Sequence, residues 1–263
     1  MNPSPSPLVA SGVRGGYDRR IVLDGVDVEI PDGSFTAIIG PNACGKSTLL
    51  RVLARLLKPR DGAVLLDGAD IRDLSAKQLA RRLGLLPQTP IAPDGITVAD
   101  LVGRGRHPHQ SLLSQWSRGD EEAVARAMAA TRVSELAERQ ISELSGGQRQ
   151  RVWIAMALAQ QTGLLLLDEP TTYLDITYQL EVLELLERLR GEGRTIVAVL
   201  HDLNQAARYA DHLIAMRDGA ILAQGAPGEL LTVETVERVF GLRSRIIADP
   251  DTGSPIVLPR SAV

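Results

Sequence analysis

The segment "SFTAIIGPNACGKSTLLRVLARLL", residues 34–57, constrains the fold more than any other stretch of the chain. A short unbroken apolar run reads as a buried strand and breaks at Gly40; from Lys46 onward, Leu49, Leu50, Leu53 and Leu57 recur at helical spacing. The loop between them, "GPNACGKST", matches G-x-x-x-x-G-K-[ST] in the strand–loop–helix setting that the pattern needs. Inward-pointing backbone N–H groups and the positive end of the following helix make such a loop a cradle for phosphates. Gly40, Pro41, Asn42, Ala43, Cys44 and Gly45 would line it. Lys46 would reach the outer phosphates, Ser47 would ligate Mg²⁺, and Thr48 would contact an inner phosphate. The competing reading is a chance match in a glycine-rich turn.

A second stretch, "LSGGQRQR" at residues 144–151, has the same ingredients. Ser145 is followed by Gly146, Gly147 and Gln148, which open onto a helix and so onto a second place for an anion. One phosphate group does not need two cradles in one chain.

Three buried-looking strands end in polar residues. "LLLLDEP" supplies Asp168, placed to hold a Mg²⁺ shell, and Glu169, placed to polarise an attacking water. "TIVAVLH" ends at His201, whose imidazole would hydrogen-bond a γ-phosphate. "LGLLPQ" ends at Gln88, whose carbonyl would serve Mg²⁺ or the lytic water. Alone, His201 or Gln88 reads as an ordinary strand-terminal polar residue; beside a phosphate loop and an acid pair the functional reading wins. Tyr17, in "RGGYDRR", is either an incidental exposed ring or a platform on which adenine stacks. His107 and His109 form H-x-H, but no cysteine or carboxylate cluster surrounds them, so they are not assigned to a metal. Cys44 sits at a helix mouth that would favour a thiolate. It lacks a His or acid partner and reads as a small space-filling side chain, whose alkylation should block nucleotide binding.

Composition narrows the remaining classes. The chain is 44% hydrophobic but only 3% aromatic, so its core is built from Leu, Val, Ile and Ala. A net charge of −3 with no Lys/Arg-rich segment excludes a polyelectrolyte grip on nucleic acid. The start, "MNPSPSPLVA", lacks a signal-peptide pattern and reads as a disordered tail over residues 1–7. No run approaches the ~18 apolar residues of a membrane span, and a lone cysteine fits a reducing compartment. The expected location is the cytoplasm, with any membrane role supplied by a partner. Residues 8–30 alternate as an antiparallel β-subdomain, residues 97–159 have helical character, and the rest alternates buried strands with helices. The expected layout is therefore a core over 8–96 and 160–263, interrupted by a helical subdomain over 97–159.

In this order, the phosphate loop, Gln88, the Leu144–Gln148 stretch, Asp168–Glu169, Leu174–Asp175 and His201 resemble the ATP-binding cassette (ABC) ATPases over nearly the whole chain. The resemblance implies an α/β P-loop ATPase with a mixed core sheet. It also accounts for two cradles: two copies face each other head to tail, and Ser145, Gly146, Gly147 and Gln148 of one would cover ATP held by the other, with Asp175 at the dimer seam. Two positions depart from the family. Ala43 stands where glycine is usual, and Tyr173 where smaller residues are frequent.

The segment "GITVADLVGRGRHPHQSLLSQWSRGDEEAVARAM" is similar to ATPase subunits of importers for iron–siderophore complexes, haem and vitamin B12, with manganese or zinc importers less similar. That likeness implies a separate membrane permease, docked between Gln88 and the helix that opens at Gly146, and a substrate-binding protein that delivers the chelate. It places the chain on the inner face of the cell membrane. A DNA-maintenance ABC ATPase would show a long coiled-coil insertion or zinc fingers between the two glycine loops, and this sequence has neither.

Overall fold

The computed structural model describes residues 7–110, 116–172 and 174–262. The tail expected over residues 1–7 lies, apart from Pro7, outside the described residues; so do Tyr173 and residues 111–115. Internal packing divides the chain into two units, residues 1–73 with 195–263, and residues 74–194.

Residues 8–70 form strands β1 (Leu8–Tyr17), β2 (Arg20–Ile30) and β3 (Phe35–Ile39), helix α1 (Lys46–Leu53), and strands β4 (Asp61–Leu66) and β5 (Ala69–Asp70). Next come helix α2 (Ala76–Ala80), strand β6 (Leu83–Leu86), helix α3 (Val98–Gly103), a 3₁₀ turn (Arg104–His109) and helix α4 (Arg118–Ala130). Helix α5 (Gly146–Ala159), strand β7 (Leu164–Leu167) and helix α6 (Ile176–Gly191) complete the second unit. The chain then returns to the first unit with β8 (Thr195–Val199), α7 (Leu203–Tyr209), β9 (His212–Arg217) and β10 (Ala220–Gly225). It closes with α8 (Pro227–Leu230), α9 (Val233–Phe240), β11 (Leu242–Ala248) and β12 (Pro255–Ala262).

In the first unit, β2-β1-β4-β5 form an antiparallel sheet. One face is dry because Leu23, Val26, Val28 and Ile30 of β2 are buried while the residues between them are mostly exposed, the period-two pattern of a half-buried strand. A second, mixed sheet runs β10-β9-β3-β8. Strand β3 is buried along its whole length and pairs parallel with β8 and β9. Each Phe or Ile buried there contributes about 1.5–3 kcal/mol over leaving it in water. Strand β10 returns antiparallel through Asp218 and Gly219, both at positive φ (50° and 81°), the backbone of a tight hairpin turn. Strands β11 and β12 pair as a separate hairpin.

In the second unit, β6 and β7 are parallel neighbours, and α3, α4 and α5 pack on one another. Strands β6 and β7 therefore pack with the helices expected over 97–159.

Two local features differ from the sequence reading. Helix α1 stops at Leu53 rather than reaching Leu57, because Arg55 takes a left-handed φ of 58° and the N–H groups of Leu56 and Leu57 turn back to the Arg51 carbonyl. Helices α2 and α7 carry no readable periodicity at 5 and 7 residues; each is started by a cap, Ser75 and Asp202 respectively.

Candidate functional site

The first unit holds the phosphate loop at the carboxyl end of β3. Gly40 has φ 153°, and a Cβ there would lie 2.3 Å from the Met216 carbonyl oxygen, so only glycine fits. Ala43 does adopt positive φ, 60°, at a cost of about 1 kcal/mol for a residue with a Cβ. Lys46 is only 5% exposed. Its Nζ donates to the carbonyls of Gly40 and Pro41, both at 2.9 Å, which curls the loop around the ammonium. Gly45 starts α1 without a side-chain cap, so no side chain closes off the leading N–H groups of that helix.

Cys44 lies buried in this loop. Burial pushes its thiol above the ordinary thiol range, outweighing the nearby Lys46 charge and backbone hydrogen bonds. Burial thus outweighs the pull of the helix mouth toward a thiolate. Iodoacetamide should label Cys44 slowly at pH 7, with the rate climbing only above the pH at which an ordinary thiol ionises. ATP should slow it further, and the labelled chain should no longer bind ATP. Mass spectrometry with and without ATP measures the first two; a labelled chain that binds ATP normally would contradict the placement.

His201 leaves the same edge of the same sheet. Ile38 of β3 pairs with Val199 of β8, and Leu200 N donates to the Ile38 carbonyl at 3.1 Å. Gly40 and His201 therefore emerge beside each other at the carboxyl ends of parallel strands, where open α/β sheets bind ligands. Asp202 fixes the chain after His201 by accepting from Asn204 N at 2.8 Å and Gln205 N at 2.9 Å. Tyr17 ends β1 as a residue 41% exposed, and its hydroxyl accepts from Arg51 Nη1 at 2.8 Å.

The second unit assembles the acids in the same way. Asp168 N donates to the Leu86 carbonyl at 2.9 Å, carrying the β6–β7 pairing one residue past the strand, and Asp168 is 2% exposed. Glu169 follows in the left-handed region at φ 55°, which swings the chain sharply off the strand. Its Oε2 accepts from Gln88 Nε2 at 2.8 Å and from Thr172 Oγ1 at 3.0 Å. Gln88 and Glu169 are thus brought together. Thr172 was missed in the sequence; the only signal for it was a hydroxyl three residues beyond the acid.

At the second glycine stretch, Ser145 caps α5. Its Oγ accepts from Gln148 N at 3.3 Å while Gln148 Oε1 accepts from Ser145 N at 3.1 Å, a reciprocal capping box. Gln150 Nε2 donates to the Pro170 carbonyl at 2.9 Å, tying this helix to the turn after Glu169. Asp175 caps α6 by accepting from Tyr178 N at 3.1 Å. His109 bonds the Gln160 carbonyl at 2.7 Å, which gives it a structural role. Among the described residues no group of three or more His, Cys, Asp or Glu side chains is arranged to hold a metal.

A phosphate loop at a parallel strand's carboxyl end, with strand-terminal carboxylates elsewhere in the chain, defines a P-loop nucleoside triphosphatase. Residues 23–172 match the ABC transporter family. The chain belongs to that family and is an ATPase, with the family's mixed sheet, antiparallel N-terminal sheet and helices. It is 58% identical to the ferric enterobactin transport ATP-binding protein of Escherichia coli strain K12, over 98% of this chain and 96% of that protein. Among solved structures it is similar to a metal-chelate type ABC transporter in an inward-facing conformation, with TM-score 0.83, 27% identity, and coverage of 99% of this chain and 98% of that one. It is also similar to a dimeric ATP-binding cassette in a post-hydrolysis state bound to ADP and Pi, with TM-score 0.74, 29% identity, and coverage of 83% and 98%. Among the described residues no helix is long and apolar enough to cross a membrane.

Proposed function

We propose that this chain is the ATP-hydrolysing subunit of an importer that takes up iron–siderophore complexes through a separate membrane permease. The observation that carries the reading is the 58% identity, along nearly the full length of both chains, to a ferric enterobactin transport ATP-binding protein. Haem or vitamin B12 import is the alternative within the same group.

In this reading the loop from Gly40 to Gly45 and the amides of α1 hold the triphosphate, Lys46 neutralises its outer charge, and Thr48 contacts an inner phosphate. Tyr17 stacks on the adenine. The hydroxyl of Ser47, the carboxylate of Asp168 and the amide oxygen of Gln88 are hard oxygen donors, the chemistry Mg²⁺ prefers. Mg²⁺ would neutralise charge building on the phosphate oxygens. Glu169, held by Gln88 and Thr172, orients and polarises the attacking water, and His201 hydrogen-bonds the γ-phosphate. Ser145, Gly146, Gly147 and Gln148 serve the nucleotide of a second copy, and Asp175 lies at the seam between copies. The dimeric cassette bound to ADP and Pi supports this assembly.

The permease would dock on the inner face of the membrane against the helices that follow Gln88. There a groove of about 580 Å³ is lined by Gly103, Arg104, His107, Trp116 and Met128. A substrate-binding protein would deliver the chelate from the other side.

A strain deleted for this chain should fail to grow with a ferric siderophore as sole iron source. Wild-type chain should restore growth, and Lys46→Ala, which should lose ATP binding, should not. Undiminished growth of the deletion strain on every ferric siderophore, with failure on haem or vitamin B12, would select the alternative. Unchanged binding of a fluorescent ATP analogue by Lys46→Ala would overturn the phosphate-loop assignment.

A further inference from the structure

Tyr17 stands at the tip of a narrow hairpin. It pairs with Arg20 across a turn whose Asp18 has φ 47°, and the register slips on either side of Gly15. A Cβ on Gly16 would lie 2.1 Å from the Arg20 carbonyl oxygen, so the tip closes too tightly for a side chain there. Such a tip, with a half-exposed ring, would let that ring sample several rotamers unless something held it.

Two arginines do. Arg51 Nη1 donates to the Tyr17 hydroxyl at 2.8 Å. Arg60 Nη2 donates to the Asp18 carbonyl, and Arg60 N donates to the Arg14 carbonyl at 2.7 Å, which anchors the turn from below. Arg51 lies on α1, the helix that begins at Lys46. Helix α1 also packs on β1, with the Val52 methyl beside the place where a side chain on Gly15 would begin. The helix that grips the loop carbonyls at its first residue thus fixes the phenol five residues on.

We propose that Arg51 is a positioning residue for the adenine base: by holding the Tyr17 phenol it sets the height of the ring relative to the phosphate loop. The proposal rests on the reading of Tyr17 as the adenine platform. A guanidinium donating to a phenol oxygen is a charge-assisted bond with a defined direction, and a ring already held loses less freedom when a base stacks on it.

The test uses the full chain with two probes, ATP and inorganic tripolyphosphate, which lacks the base. Arg51→Leu should raise the KM and Kd for ATP about three- to tenfold, the range of a single hydrogen bond. Its kcat should stay within about twofold, and its affinity for tripolyphosphate should not change. Tyr17→Phe, which removes only the hydroxyl, should reproduce the loss of ATP affinity, and the double variant should be no weaker than either single. Arg51→Lys should recover part of the affinity. Equal losses on ATP and tripolyphosphate, or additive losses in the double variant, would overturn the proposal. Tyr17→Ala separates the two ideas. If it leaves ATP affinity intact, the platform reading fails; if it weakens ATP while Arg51→Leu and Tyr17→Phe do not, only the role of Arg51 fails. Because Tyr17→Phe leaves α1 untouched, the test survives even if Arg51→Leu does not fold.

Discussion

Changing Glu169 to glutamine should cut steady-state ATP turnover by roughly 10²–10⁴-fold, the usual worth of a general base, while ATP still binds. Glutamine has nearly the same shape, and its amide oxygen can still accept from Gln88 and Thr172, the two groups that hold the carboxylate at 2.8 Å and 3.0 Å. The backbone at φ 55° is equally open to either residue. Geometry therefore survives and only basicity is lost. An ATP-bound pair of chains that cannot hydrolyse should persist, eluting as a dimer in size-exclusion chromatography with ATP and as a smaller species without it. Elution as monomer alone in ATP, or turnover within a few-fold of wild type, would remove Glu169 from its assigned role.

The second large effect concerns stability. Arg106 and Asp120 form an ion pair at 2.7 Å with both side chains more than nine-tenths buried. Arg106 also donates to the Ala159 carbonyl at 2.7 Å and to Gln161 Oε1 at 2.8 Å, while Asp120 accepts from Ser117 N at 2.9 Å and Ser117 Oγ at 2.7 Å. The pair locks the 3₁₀ turn and the start of α4 to the end of α5. Removing one partner leaves an uncompensated buried charge, so Asp120→Asn or Arg106→Met should each cost about 3–5 kcal/mol in urea unfolding. Replacing both with apolar residues should cost less than either single change. A single variant within 1 kcal/mol of wild type, on the same ~1 kcal/mol scale as one hydrogen bond, would show that the pair contributes little.

The pair also carries a pH dependence. Burial alone would raise the Asp120 carboxyl, but the Arg106 and Ser117 hydrogen bonds and the Arg106 charge win and hold it below the usual carboxylate range. A depressed folded-state value means that this contribution is present above the unfolded aspartate pKa and drains away as pH falls through the lower, folded one. Wild-type stability should therefore fall in acid more steeply than that of the doubly apolar variant.

The parts of the candidate site that could be read from sequence are those built within one short segment. The phosphate loop, the strand-terminal Gln88, Asp168, Glu169 and His201, and the helix opening at Gly146 each declare themselves by a strand or helix edge next to a particular residue type. What escaped was built across distance. Arg51 and Tyr17 are 34 residues apart, and Arg106 reaches 53 residues to Ala159; no local pattern marks either pair. Nothing in "GRGRHPH" sets Arg106 apart from Arg104. The short helices α2 and α7 escaped because a cap, rather than an apolar stripe, defines them. The overlong reading of α1 had the opposite cause: Leu57 continued the apolar spacing after Arg55 had already turned the backbone away.

The capping box at Ser145 has a consequence for how its helix end behaves in different media. Ser145 Oγ accepts from Gln148 N but keeps its own proton to donate, so what this end offers outward is a neutral hydroxyl and the main chain of the exposed Gly146. Peptide groups neither gain nor lose protons between mild acid and mild alkali. Whatever negative group settles there meets a grip of constant strength, whereas an imidazole changes charge in that very interval.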